Sequence, residues 1–141
     1  MDTSILAPAA VLILWSLIIL LWMAAVRFPA MAKSSVDLGA EPGGRGQDLE
    51  GVVPAKVQWK AHNYTHLMEQ PTIFYAAIAI IAIVGAASEL MVGIAWAYTV
   101  LRIAHSLWQV TINTVPIRFL IFVLSTVCLI ILAIHAVIVT I

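Results

Sequence analysis

The chain has 141 residues, of which 63% are hydrophobic and 10% charged, with a mean hydropathy of +1.07. Soluble domains are roughly 45–50% apolar and about 25% charged, so this balance excludes an ordinary soluble globular protein. A formal net charge of zero and a pI near 6.9 lack the basic excess of a nucleic-acid binder, and the lone cysteine, Cys128, excludes an intrachain disulfide or a cysteine metal cluster.

Ile5 to Val26 is uncharged for 22 residues. At 1.5 Å per residue that is about 33 Å, enough to cross a hydrocarbon core of roughly 30 Å. Ala30-Met31-Ala32 has the small-x-small form of a signal-peptide cleavage site. The leader Met1-Asp2-Thr3-Ser4 carries no cation, however, and the run exceeds the ~7–15 residues of a signal h-region, so the segment is expected to remain as a span.

Residues 27–56 form the one long polar stretch, punctuated by Pro29, Pro42, Pro54 and five glycines, and read as a loop able to cover what lies beneath. A second helix is expected over residues 57–87. Its first third is polar, and Pro71 is expected to kink it rather than end it. A tight turn at Ser88-Glu89 leads to a third span over 90–112, which carries Arg102 and His105. Asn113-Thr114-Val115-Pro116 makes the next turn, with proline near the first helical position of a fourth span over 116–140. The expected architecture is an all-α membrane protein, a single domain over 1–141 built as a four-transmembrane-helix bundle.

Arg27, Lys33, Arg45, Lys56, Lys60 and Arg118 all flank the first and third loops, and the other ends carry no cation. The positive-inside rule therefore places both loops in the cytoplasm and both termini outside, as a multi-pass protein of the lipid bilayer.

Charged groups inside a span are expensive and normally face a bundle interior or a water-filled site. On the second helix His62, His66 and Glu69 recur at i, i+4 and i+7, along one side. On the third, Arg102, His105 and Gln109 share a face, and Arg118 opens the fourth at the same cytoplasmic level. Together these side chains suit a polar anionic ligand: guanidinium forks match carboxylates, and an arginine beside a thiol favours the thiolate. The same residues also fit bland readings. Glu69 with Arg102 could be a buried ion pair pinning two helices, and the histidines interhelical hydrogen-bonders. No metal site is expected, because the His-x-x-x-His of the second helix lacks the glutamate that follows the first histidine in a zinc protease. Cys128 reads as small core filler.

His62-Asn63-Tyr64-Thr65-His66-Leu67-Met68-Glu69 resembles the second-helix motif of the membrane-associated proteins in eicosanoid and glutathione metabolism, the MAPEG family. Arg102-Ile103-Ala104-His105 followed by Val115-Pro116-Ile117-Arg118 is similar to its third- and fourth-helix pattern. Glu69-Gln70-Pro71 with Phe74-Tyr75 looks most like the bacterial branch, which places the chain in a bacterial inner membrane. The resemblance covers the whole chain and implies a homotrimer with glutathione held between subunits on the cytoplasmic side, acting on a lipophilic small molecule that arrives through the lipid. Arg118 is then the catalytic candidate that stabilises the thiolate, and His62, His66, Glu69, Arg102 and His105 are the glutathione-binding candidates. Family arginines fall here on His62 and Thr65, an asparagine on His66, a tyrosine on Gln109, and hydroxyl-bearing residues on Phe119 and Phe122. The contrary expectations are a non-catalytic membrane trimer or partner of a larger complex, and a lipid-binding protein without thiol chemistry.

Overall fold

A computed structural model describes residues 3–141; Met1 and Asp2, and with them the expected outer placement of the N-terminus, lie outside the described residues. Four long helices follow in order: α1 (Leu6–Ala32), α2 (Ala55–Ile83), α3 (Glu89–Thr111) and α4 (Val115–Ile138), with a short 3-10 turn at Gly46–Leu49 in the first loop. All four are long and apolar enough to cross a membrane. The architecture is the expected all-α four-helix bundle.

The helix ends differ from expectation where local chemistry intervenes. Instead of stopping at Val26, α1 runs on through Arg27 and Pro29 to Ala32, and Arg27 docks its guanidinium on α2 by donating to Gln58 Oε1 at 3.0 Å. The loop is correspondingly shorter than 27–56. α2 starts at Ala55, after an extended Pro54, and ends at Ile83 rather than 87, because Gly85 takes a positive φ of 71°. The Ala86 and Gly85 N–H groups then close on Ile81 and Ala82 carbonyls at 3.0 and 3.2 Å, a Schellman end that halts the helix. Pro71 lies buried inside the continuous α2.

Ser88 caps α3, its Oγ accepting from the Met91 N–H at 3.3 Å. α3 begins at Glu89 and ends at Thr111, where Asn113 adopts φ 60° and its N–H reaches the Trp108 carbonyl at 2.8 Å. Asparagine is among the few non-glycine residues that tolerate this conformation. α4 starts at Val115 with Pro116 in its first turn and gives way after Ile138 rather than at 140.

α2 and α3 each pack against the three other helices, while α1 and α4 lie on either side of that central pair. Leu12, Ile19, Leu67, Phe74, Ile78, Ile81, Ala95, Tyr98 and Leu132 form the dry core, with Phe74 stacked on Tyr98 at 4.3 Å between ring centroids. The outer surface is apolar too: Leu14, Leu21, Ile130, Ile134 and Ile138 are exposed on α1 and α4, as a lipid-facing surface requires. Eight of the ten buried polar or charged side chains among the described residues, Gln58, Lys60, Asn63, Thr99, Arg102, His105, Ser106 and Gln109, belong to α2 and α3. Most of the buried polar side chains thus lie on the inner pair.

Candidate functional site

Three polar assemblies line the N-terminal half of α2. The first is a closed network. Trp15 Nε1 donates to Ser106 Oγ at 2.9 Å, the Ser106 hydroxyl donates to Asn63 Oδ1, and Asn63 Nδ2 donates to Gln109 Oε1 at 2.9 Å. It ties α1, α3 and α2 together around an asparagine with no exposed surface, and none of its buried nitrogen or oxygen atoms lacks a partner. Lys60 adds a clamp nearby: its ammonium donates to the Val110 carbonyl at 3.1 Å, one of the orphan carbonyls at the end of α3, and lies 5.3 Å from the Trp22 ring centroid.

One helical turn away the second assembly is left open. Arg102 is fully buried, and its Nη2 donates to His66 Nδ1 at 2.7 Å and to the His66 carbonyl at 3.2 Å. A guanidinium has no acceptor, so His66 Nδ1 must present its lone pair and the ring its Nε2–H tautomer. Arg102 Nε and Nη1 and His105 Nδ1 are buried with no hydrogen-bond partner among the described residues. The His66 and His105 rings lie 4.8 Å apart, and Phe122 stands edge-on to His66 at 5.4 Å with the Arg102 guanidinium 6.0 Å from its centroid. An open pocket of about 230 Å³ is lined by His66, His105, Val115, Arg118, Phe119 and Phe122. Asn113, held in its left-handed conformation, accepts from Arg118 Nη1 and fixes that guanidinium at the pocket mouth.

The third assembly sits where the loop meets the bundle. Gln58, 2% exposed, is its hub: Oε1 accepts from Arg27, while Nε2 donates to the Gly46 carbonyl at 3.2 Å and to Glu50 Oε2 at 3.0 Å. His62 Nε2 reaches the same Glu50 oxygen at 3.0 Å. The hydrogen bond from His62, and after it the one from Gln58, holds the Glu50 carboxyl below its ordinary value. A pocket of about 210 Å³ opens here, between Arg27, Gly46, Glu50, Gln58, His62 and Thr65.

The structure thus brings His66, Arg102, His105 and Arg118 together and sets His62 apart in a different pocket. The alternative of a Glu69–Arg102 ion pair is not realised: Glu69 is exposed on the outer face of α2, and the ion pair found among the described residues is His62–Glu50. The i, i+7 spacing put Glu69 on the same side as His62, but the rotation of α2 against α3 aims His66 at Arg102 instead. Among the described residues no three His, Cys, Asp or Glu side chains gather as a metal site would need.

Sequence reasoning missed Arg27, Gln58, Glu50 and the clamp made by Lys60. Gln58 had a signal, standing four residues before His62 on the same face. Glu50 had none, since its meeting with His62 depends on how the loop folds back.

A model of the MAPEG family matches residues 5–138, nearly the whole chain. No curated protein and no solved structure matches it.

Proposed function

The chain belongs to the MAPEG family, and from that membership we propose that it is a membrane-bound transferase or peroxidase-like protein that uses glutathione or a related thiol against lipophilic electrophiles. The observation that carries this reading is Arg102: a fully buried guanidinium with two nitrogens and the neighbouring His105 Nδ1 short of partners, beside a pocket that also holds Arg118. A buried charge with unmet donors costs several kcal/mol unless something satisfies it. An anionic ligand supplies the missing acceptors.

In this reading Arg102 and His62 receive carboxylates, Glu69 orients the peptide part, and His66 and His105 position Arg102 and the ligand. Arg118 holds the sulfur as thiolate, which attacks an electrophilic carbon to form the new S–C bond while a π bond opens or a leaving group departs with its electron pair. The proton lost by the thiol ends on the resulting carbanion or leaving group, directly or through water. The Phe119, Phe122 and Val115 walls favour an apolar substrate arriving from the lipid. Phe122 stands where a hydroxyl is expected from the family, and its ring faces the Arg102 guanidinium, a cation–π contact in place of a hydrogen bond.

The two pockets share no lining residue, one lying between α1, α2 and the loop and the other between α2, α3 and α4. A homotrimer, whose cyclic contacts are head-to-tail, sets one face of a protomer against a different face of the next and can join the two half-sites. The exposed charge of Glu69 on a membrane helix favours such cover as well. In this reading both pockets face the cytoplasm, which the cation distribution supports, and the membrane is a bacterial inner membrane.

The test is the ultraviolet absorbance of bound thiolate at neutral pH in the detergent-purified protein with glutathione. Free thiols titrate near 8.5, so wild type should show thiolate where free glutathione shows little. Arg118→Ala should abolish the signal, Arg118→Lys restore part of it, and Phe122→Tyr leave or strengthen it. Binding without any thiolate signal, or no binding at millimolar glutathione, overturns the proposal.

A further inference from the structure

Glu50 stands in an unusual relation to the pocket it borders. It lies in the loop, directly after the 3-10 turn Gly46–Leu49, and its side chain is 60% exposed. Yet one of its oxygens, Oε2, takes hydrogen bonds from both Gln58 and His62, each at 3.0 Å. Those are the donors, with Arg27 behind Gln58, that an incoming carboxylate would use. Gly46 lies so close to Arg27 that a Cβ there would come within 2.5 Å of Nη1, so the turn is seated directly against the guanidinium. The 3-10 turn is itself locked, Arg45 N–H donating to Asp48 Oδ2 at 2.8 Å, which presents Glu50 as part of a preformed hook.

We propose that Glu50 is an internal carboxylate that latches the first loop over the His62 pocket, and that an anionic ligand binds there by displacing it. The proposal rests on the reading of the pocket as the place of a thiol ligand's carboxylate. The groups facing Glu50 are His62 and Gln58 from α2 and Arg27 from α1. Two of them carry or can carry positive charge, and among the described residues no second acidic side chain lines the pocket. Glu50 occupies the Gln58 and His62 donors, while Arg27 Nε keeps no partner among the described residues. A second carboxylate on the same two donors would bring like-charge repulsion, so ligand and Glu50 compete for them rather than bind together. The latch makes the loop a gate whose closed state is held by a mimic of the ligand. Opening releases both pocket and loop at once.

Titration calorimetry of the full-length protein in detergent with reduced glutathione, beside hydrogen exchange of the loop, tests this. Glu50→Gln removes the competing charge and should tighten glutathione binding roughly tenfold, the scale of one charge-assisted hydrogen bond that no longer has to be exchanged. In the wild type, the amides of residues 46–50 should exchange faster once glutathione binds, because the ligand takes the hook's place. That second measurement needs no variant and decides the matter if Glu50→Gln folds poorly. Wild-type binding with no gain in Glu50→Gln, or with slower loop exchange on binding, overturns the latch and leaves the thiol reading standing. No glutathione binding by either protein overturns both.

Discussion

Two sets of polar side chains sit within a helical turn of each other on α2 and α3, and they differ in one respect. Around Asn63, each buried donor and acceptor is matched by the chain itself: Trp15 on Ser106, Ser106 on Asn63, Asn63 on Gln109. Around Arg102, two guanidinium nitrogens and an imidazole nitrogen are not. Polar groups deep in a membrane bundle are costly unless satisfied, so the closed set is explained by holding helices together. The open set has no such explanation within one protomer. The proposed binding rests on that difference.

The strongest way to break this contrast is Arg102→Leu. Because the arginine is not balanced by a carboxylate, replacing it should leave thermal stability in detergent unchanged or raised, as apolar replacements of buried charge commonly do. Glutathione affinity, by contrast, should fall by about 2 kcal/mol or more, roughly thirtyfold, the usual loss on truncating a buried charged hydrogen-bond partner. A large drop in melting temperature with affinity intact would reverse the assignment of the two sets.

Asn63→Leu is the mirror experiment. It strands Ser106 and Gln109 without their common partner and should cost about 1–3 kcal/mol of stability, read as a lower unfolding temperature. The protein that remains folded should bind glutathione within about threefold of wild type, because the change lies outside the open set. A selective loss of binding would make the closed network part of the site.

The smallest effect concerns the loop, where polar contacts meet water rather than lipid. Glu50 has its carboxyl lowered by His62 and Gln58. Its contribution is fully present above the ordinary carboxylate value of 4.5 and is lost as pH falls through the lowered one. Amide protection at residues 46–50, corrected for the intrinsic pH dependence of exchange, should hold at pH 5 to 7 and fall away below about pH 4. In Glu50→Gln it should be weak at every pH. Protection that ignores both acid and the substitution would mean the turn stands by itself.

Length and hydropathy made the four spans legible, since crossing a bilayer is a requirement each segment meets by itself. The turns were legible too: Ser88-Glu89 before α3, and Pro116 in the first turn of α4, act through their own backbone. Periodicity likewise put Arg102 and His105 on one face of α3. The helix ends were less so. Gly85 halts α2 through a conformation that composition alone does not select from among the nearby small residues, and α1 continues past Val26 because Arg27 has a partner on another helix.

What the sequence by itself determined, then, is what local rules can reach: a four-helix membrane chain, its family motifs, and which polar residues share a helical face. What only the tertiary structure decided is which face meets which. A spacing of three or four residues fixes side chains relative to their own axis, but the rotation of one helix against the next follows from packing along the whole interface. That rotation gave Arg102 to His66 and left Glu69 outside. It also set Asn63 against Ser106 and Gln109. The folding back of a loop, beyond any periodicity, put Glu50 on His62.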